Sequence, residues 1–137
     1  MKIAEEEIIK VIQIKKAKVS LLKDAIIKIE PFENVDFGVD DIMELQEAKK
    51  NLIGDGKYAV MFVTPRMGDM SREAKILASG EMVNRNAIVK AVVIKNLGMR
   101  IMAQFFIKFN KPVAEHAIFQ TEEEAFIWVY DKLKSKG

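Results

Sequence analysis

The sequence predicts an α/β fold: a mixed sheet with a parallel centre, an antiparallel β-hairpin at its N-terminal edge and about four helices. Three observations carry this expectation. β-Branched runs separated by a short polar break open the chain, and two unbroken apolar runs of strand length follow at Tyr58–Val63 and Ala87–Ile94. Between and after them lie segments with apolar residues at helical spacing, each with a start or stop signal. Strands that alternate with helices imply right-handed crossovers and parallel pairing, with helices packed on the sheet. At 137 residues the chain fits one domain spanning residues 1–137, with residues 1–7 expected to be disordered.

Each element has its own reason. Ile8, Ile9, Val11, Ile12 and Ile14 favour a strand over the helix that Glu5-Glu6-Glu7 would otherwise open. Residues 17–22 and 25–29 form a hairpin across Lys23-Asp24. Residues 32–38 read as a loop. Asp40 and Asp41 place negative charge at a helix start, Ile42, Leu45, Ala48 (or Lys49) and Leu52 give its apolar stripe, and Gly54-Asp55-Gly56 stops it. Tyr58–Val63 has no polar face, which suits a central strand covered on both sides. Pro65 and Gly68 mark Thr64–Met70 as a loop, and Ser71 then caps a helix running to about Val83. Ala87–Ile94 is a second buried strand, and Leu97–Phe109 a helix closed by Asn110-Lys111-Pro112. Ala117–Phe119 is a short strand. Thr121 and Glu124 form a capping box for a last helix, whose buried stripe is Ala125, Trp128, Val129 and Leu133.

Composition excludes several function classes. With 22 Lys+Arg against 20 Asp+Glu the net charge is +2, which gives no basis for a nucleic-acid partner. The absence of cysteine removes disulfides, thiol nucleophiles and thiolate metal sites, and a single histidine argues against zinc. Glu33, Asp36, Asp40, Asp41, Glu44 and Glu47 lack the spacing of a calcium loop, so no metal is expected. The acidic N-terminus does not resemble a signal peptide, and no apolar run approaches the roughly 20 residues of a membrane span. A cytoplasmic protein without stable membrane insertion is expected. His116 has no nucleophile beside it in sequence, no Gly-x-Ser-x-Gly elbow exists, and Gly54-Asp55-Gly56 leads into a strand instead of a helix. No catalytic residues and no cofactor are therefore expected.

One segment has more apolar surface than a fold of this size requires. Asn84–Pro112 holds Arg85, Lys90, Lys95, Arg100, Lys108 and Lys111 and no acidic residue. Arg100, Gln104 and Lys108 recur every four residues as a narrow polar stripe, while Leu97, Ile101, Met102, Ala103, Phe105, Phe106, Ile107 and Phe109 fill the rest. An amphipathic helix needs an apolar stripe of roughly 100°, and this one is wider. The excess covers another element, a second copy in a homodimer, or an apolar small molecule or lipid. Met67, Met70, Met99 and Met102 all fall near the predicted carboxyl ends of strands, where open α/β sheets bind ligands. Arg66 and Arg100 lie in the same two connections, Thr64–Ser71 and Lys95–Arg100. Ser71 has two uses: a helix cap, or a phosphorylated switch paired with Arg66 and Arg72.

Several stretches resemble a known family. They are Gly56-Lys57 before an apolar strand, Met70-Ser71-Arg72-Glu73-Ala74-Lys75, Asn96–Pro112 with its Phe-x-Asn-Lys-Pro exit, and Phe119–Ala125 followed by Trp128. Together they resemble the small SpoIIAA-like (STAS-like) bacterial domains over roughly Val19 to Leu133. The resemblance implies that fold and a non-enzymatic regulatory or binding role through protein contacts. The better-known STAS proteins carry a phosphorylatable serine at a helix start. The comparable place here is Asp69-Met70-Ser71-Arg72, which lacks the second hydroxyl and the glycine of that motif. The alternative reading is an apolar-ligand or lipid-binding domain built from the Leu97–Phe109 helix and the Thr64–Ser71 loop.

Overall fold

The computed structural model describes residues 7–110 and 113–136. Its elements run β1 (Ile8–Gln13), β2 (Ala17–Leu22), β3 (Ile26–Pro31), β4 (Val35–Phe37), α1 (Val39–Ile53), β5 (Tyr58–Val63), β6 (Gly68–Met70), α2 (Arg72–Ser79), α3 (Glu81–Asn84), β7 (Ala87–Val93), α4 (Leu97–Asn110), β8 (Glu115–Phe119) and α5 (Glu122–Lys136). Apart from Glu7, the expectation of disorder for residues 1–7 lies outside the described residues.

Six strands form one sheet in the order β1-β2-β3-β5-β7-β8. The first three pair antiparallel and the remaining pairs are parallel, which is the mixed sheet the sequence predicts. Strand pleating sends alternate side chains to opposite faces. Val19, Ile27, Ile29, Tyr58 and Val60 meet Ile42, Leu45 and Ala48 of α1, Ala74 of α2 and Val83 of α3 on one side. Ile26, Ala59, Met61, Val89, Ala91 and Val93 meet Ala125, Phe126 and Val129 of α5 on the other. A parallel centre covered on both faces explains why β5 is apolar throughout. The α5 cap is as expected, with Thr121 Oγ1 accepting from the Glu124 N–H at 3.2 Å and donating to its carboxylate at 3.0 Å.

Two expectations need correction. The segments read as loops, 32–38 and 64–70, carry β4 and β6, which pair in parallel as a second, two-stranded sheet. Three-residue strands are too short to show periodicity, and Gly68 reads equally as a turn. The helix expected from Ser71 to Val83 breaks at Gly80, which adopts an extended conformation at φ −84° and ψ 178°. The result is α2 and α3, and hence five helices in place of about four.

Candidate functional site

On the α1 side of the sheet α4 stands away from α1, and between them lies a cavity of about 440 Å³. That size falls within the roughly 300–1,000 Å³ of small-molecule sites. Alternation along the strands supplies its floor: Val60 and Phe62 from β5, Lys90 and Val92 from β7, His116 and Ile118 from β8. The register confirms this layer, since Lys90 lies opposite His116 and Val92 opposite Ile118. Phe37, Gly68 and Met70 of the small β4–β6 sheet form one wall, and Leu45 and Lys49 of α1 another. Met99, Met102, Ala103, Phe106 and Ile107 of α4 close the far side.

Gln46, Thr64, Asp69, Lys75 and Ser79 add polar groups to the lining, and the sheet-and-α1 side carries Lys49, Lys90 and His116. Lys49 is only 5% exposed, its Nζ 5.3 Å from the centroid of the Tyr58 ring. Burial, reinforced by the charge of Lys90, pushes its ammonium down to about 7. Lys90 donates to the Ala78 carbonyl at 3.4 Å, and burial lowers it to about 8. His116 is pushed down to about 4 by burial and by Lys90, against the opposing pull of a 2.7 Å contact between Nδ1 and the Ala114 carbonyl. The imidazole is therefore neutral at pH 7, its Nδ1 proton goes to that carbonyl, and Nε2 is left as an acceptor. Among the described residues no carboxylate acts on Lys49 or Lys90. An ammonium in such a place attracts an anion when charged and is a nucleophile when neutral.

The structure gathers some of the predicted site residues here and sets others apart. Met70, Met102 and Phe106 line the cavity, together with Met99. Arg66 and Met67 are exposed on the loop before β6, where their amides donate to the Glu33 carboxylate at 3.2 and 3.1 Å and hold it below the usual carboxylate range. The Arg100 guanidinium donates to the Ile94 and Lys95 carbonyls at 3.1 and 2.8 Å, fastening the β7–α4 joint. Phe105 and Phe109 are exposed and stack on each other at 6.2 Å. Ser71 caps α2, its hydroxyl accepting from the Ala74 N–H at 3.1 Å, beside Asp36 and Asp69 in a separate shallow hollow. Replacing Ser71 by alanine is expected to cost about 1 kcal/mol, read from the denaturation midpoint.

Sequence reasoning passed over Lys49, Lys90 and His116 as a group. The signals were present singly: a lysine at the buried register of α1, a lysine inside an apolar strand, and a histidine at the start of the neighbouring strand. Among the described residues no three His, Asp or Glu side chains are placed to hold a metal ion, and no helix is long and apolar enough to cross a membrane.

The fold is SpoIIAA-like, as comparison with solved structures shows. In structure the chain is similar to an uncharacterized protein of the DUF3478 family with a SpoIIAA-like fold from Shewanella loihica PV-4, at a TM-score of 0.56. The match covers 94% of this chain and 98% of the other at 12% identity, a likeness of fold alone. The sequence profile of a domain of unknown function, DUF7793, matches residues 20–132, and the chain belongs to that family. Comparison with curated proteins finds no match.

Proposed function

We propose that this chain is a non-catalytic binding domain for an apolar small molecule held between α4 and the sheet. The observation that carries this reading is the cavity of about 440 Å³, whose walls combine the 64–71 segment with the inner face of α4. It accounts for half of the apolar excess of α4: Met99, Ala103, Phe106 and Ile107 turn to the cavity instead of packing solidly on the sheet. Protein interiors do not ordinarily leave such volume unfilled, because each missing contact forfeits dispersion energy.

Filling the space tests the proposal. An Ala103→Trp chain is expected to bind the neutral dye Nile red at least about tenfold more weakly than the parent, while its melting temperature holds or rises. Undiminished dye affinity in a folded Ala103→Trp chain would place the apolar site elsewhere.

The outer face of α4 favours a second reading, contact with another copy of the chain. Leu97, Ile101, Phe105 and Phe109 are all exposed there, Phe109 by 75%. A Phe105→Glu chain is expected to fold with a stability within about 0.5 kcal/mol of the parent, because that ring is already in water. Under this reading the parent self-associates in sedimentation and the Phe105→Glu chain stays monomeric. A parent that is monomeric throughout leaves only the cavity reading.

A further inference from the structure

Most of the cavity lining is apolar. On the side formed by α1, β7 and β8 stand Lys49, Lys90 and His116, while Asp69, the carboxylate of the lining, belongs to β6 and lies 4.0 Å from Lys75. Buried charges in folded proteins are paired or hydrogen-bonded, because an isolated buried ion loses far more hydration energy than packing returns. Among the described residues Lys90 has one long contact, with the Ala78 carbonyl at 3.4 Å, and Lys49 has the face of Tyr58. An apolar ligand alone would worsen their position by removing the remaining water. A ligand that brings its own negative charge relieves both lysines.

We propose that the occupant is an acyl chain ending in a carboxylate, with the carboxylate seated on Lys49 and Lys90 and the chain lying along Met99, Met102 and Phe106 of α4. The proposal rests on the binding reading above and names its ligand class. A single negative charge is matched to the two lysines, whereas a phosphate dianion would need further donors, and Gln46 and Ser79 of the lining already donate to the Met82 and Ile76 carbonyls. His116 fixes the edge of the head-group position. Its Nδ1 proton is committed to the Ala114 carbonyl, so the face it offers is an acceptor, and a carboxylate goes to the lysines instead. The placement also gives a use to a lysine at a buried position of α1, where an apolar residue would pack with no desolvation cost.

Three probes of equal chain length, used below micelle-forming concentrations, separate head group from tail: dodecanoate, 1-dodecanol and dodecylamine. Displacement of Nile red is expected to show dodecanoate binding at least about tenfold more tightly than dodecanol, and dodecylamine more weakly than dodecanol. Lys49→Met and Lys90→Met are each expected to remove most of the dodecanoate preference while dodecanol binding persists. Should either variant fail to fold, the head-group series on the unaltered chain decides by itself. Equal affinity for dodecanoate and dodecanol would overturn the inference and leave the apolar cavity standing. Failure of all three probes to displace the dye would overturn both.

Discussion

Replacing Gly68 by alanine is expected to lower stability by about 3 kcal/mol or more, since backbone strain of about 1–3 kcal/mol adds to a direct clash. Gly68 opens β6 at φ +132°, a region that L side chains rarely adopt, and a Cβ built there would lie 2.5 Å from the Val35 carbonyl oxygen. That carbonyl belongs to the backbone of β4, so it moves only if the pairing moves. The strap is also tied on both sides, by Asn34 N–H to the Met67 carbonyl and Ser71 N–H to the Phe37 carbonyl, each at 2.9 Å. Phe37 is 4% exposed within the core, so peeling the strap away uncovers it. For a chain of this length the loss corresponds to a fall of roughly 8–12 °C in melting temperature. Gly54 is the control: it too has positive φ, at +67°, but a Cβ there meets nothing within 4 Å. Gly54→Ala, at ψ −137°, is expected to cost the backbone strain alone, about 1–3 kcal/mol, without the clash. Equal losses at the two positions in thermal melts would mean that the β4–β6 contact contributes nothing.

The same strap shows where sequence reading stops. β5 and β7 were legible because burial on both faces forces an apolar run, and the hairpin because β-branched residues flank a polar break. β4 and β6 were not, since what holds them is a backbone approach permitted by Gly68, and hydropathy does not register it. The division at Gly80 escaped for a related reason: the apolar spacing continues across Ile76, Leu77 and Val83 although the backbone turns extended between them. α4 was legible in excess. Its composition signalled two apolar faces, but which residue meets the cavity and which meets water depends on helix rotation, which separates Phe106 from its neighbours Phe105 and Phe109. The cationic wall was the least legible part. Lys49, Lys90 and His116 lie on three elements far apart in sequence, and only the strand register and the α1 crossover bring them to one cavity.

Substituting Lys49 by methionine is expected to stabilise the empty protein by about 1–4 kcal/mol at pH 7, the range seen when buried ion pairs give way to apolar residues of similar volume. Methionine keeps the buried stem and removes the ammonium. The gain has a defined pH dependence. In the folded state Lys49 titrates at about 7, against an ordinary value of 10.5 in the unfolded chain. Between those values the unfolded chain holds a proton that the folded chain has released, so the stability of the parent rises with pH across that interval. Below about 7 both states are protonated and the folded state bears the whole desolvation cost, so the advantage of Lys49→Met is largest there. It shrinks as pH rises and disappears near 10.5. Lys90, lowered to about 8, adds a rise of the same sign above that pH, and it survives in the variant. His116, lowered to about 4 from 6.5, acts only on the acid side, while Tyr58 is raised by burial above its usual 10.0 and opposes the trend only beyond it. Urea titrations at pH 6, 7, 8 and 9 therefore isolate Lys49. The expected result is a parent whose midpoint climbs with pH and a variant that starts higher and climbs less. A variant that parallels the parent at every pH would mean that Lys49 stays charged and solvated, and a carboxylate would then lose one of its two partners in the cavity.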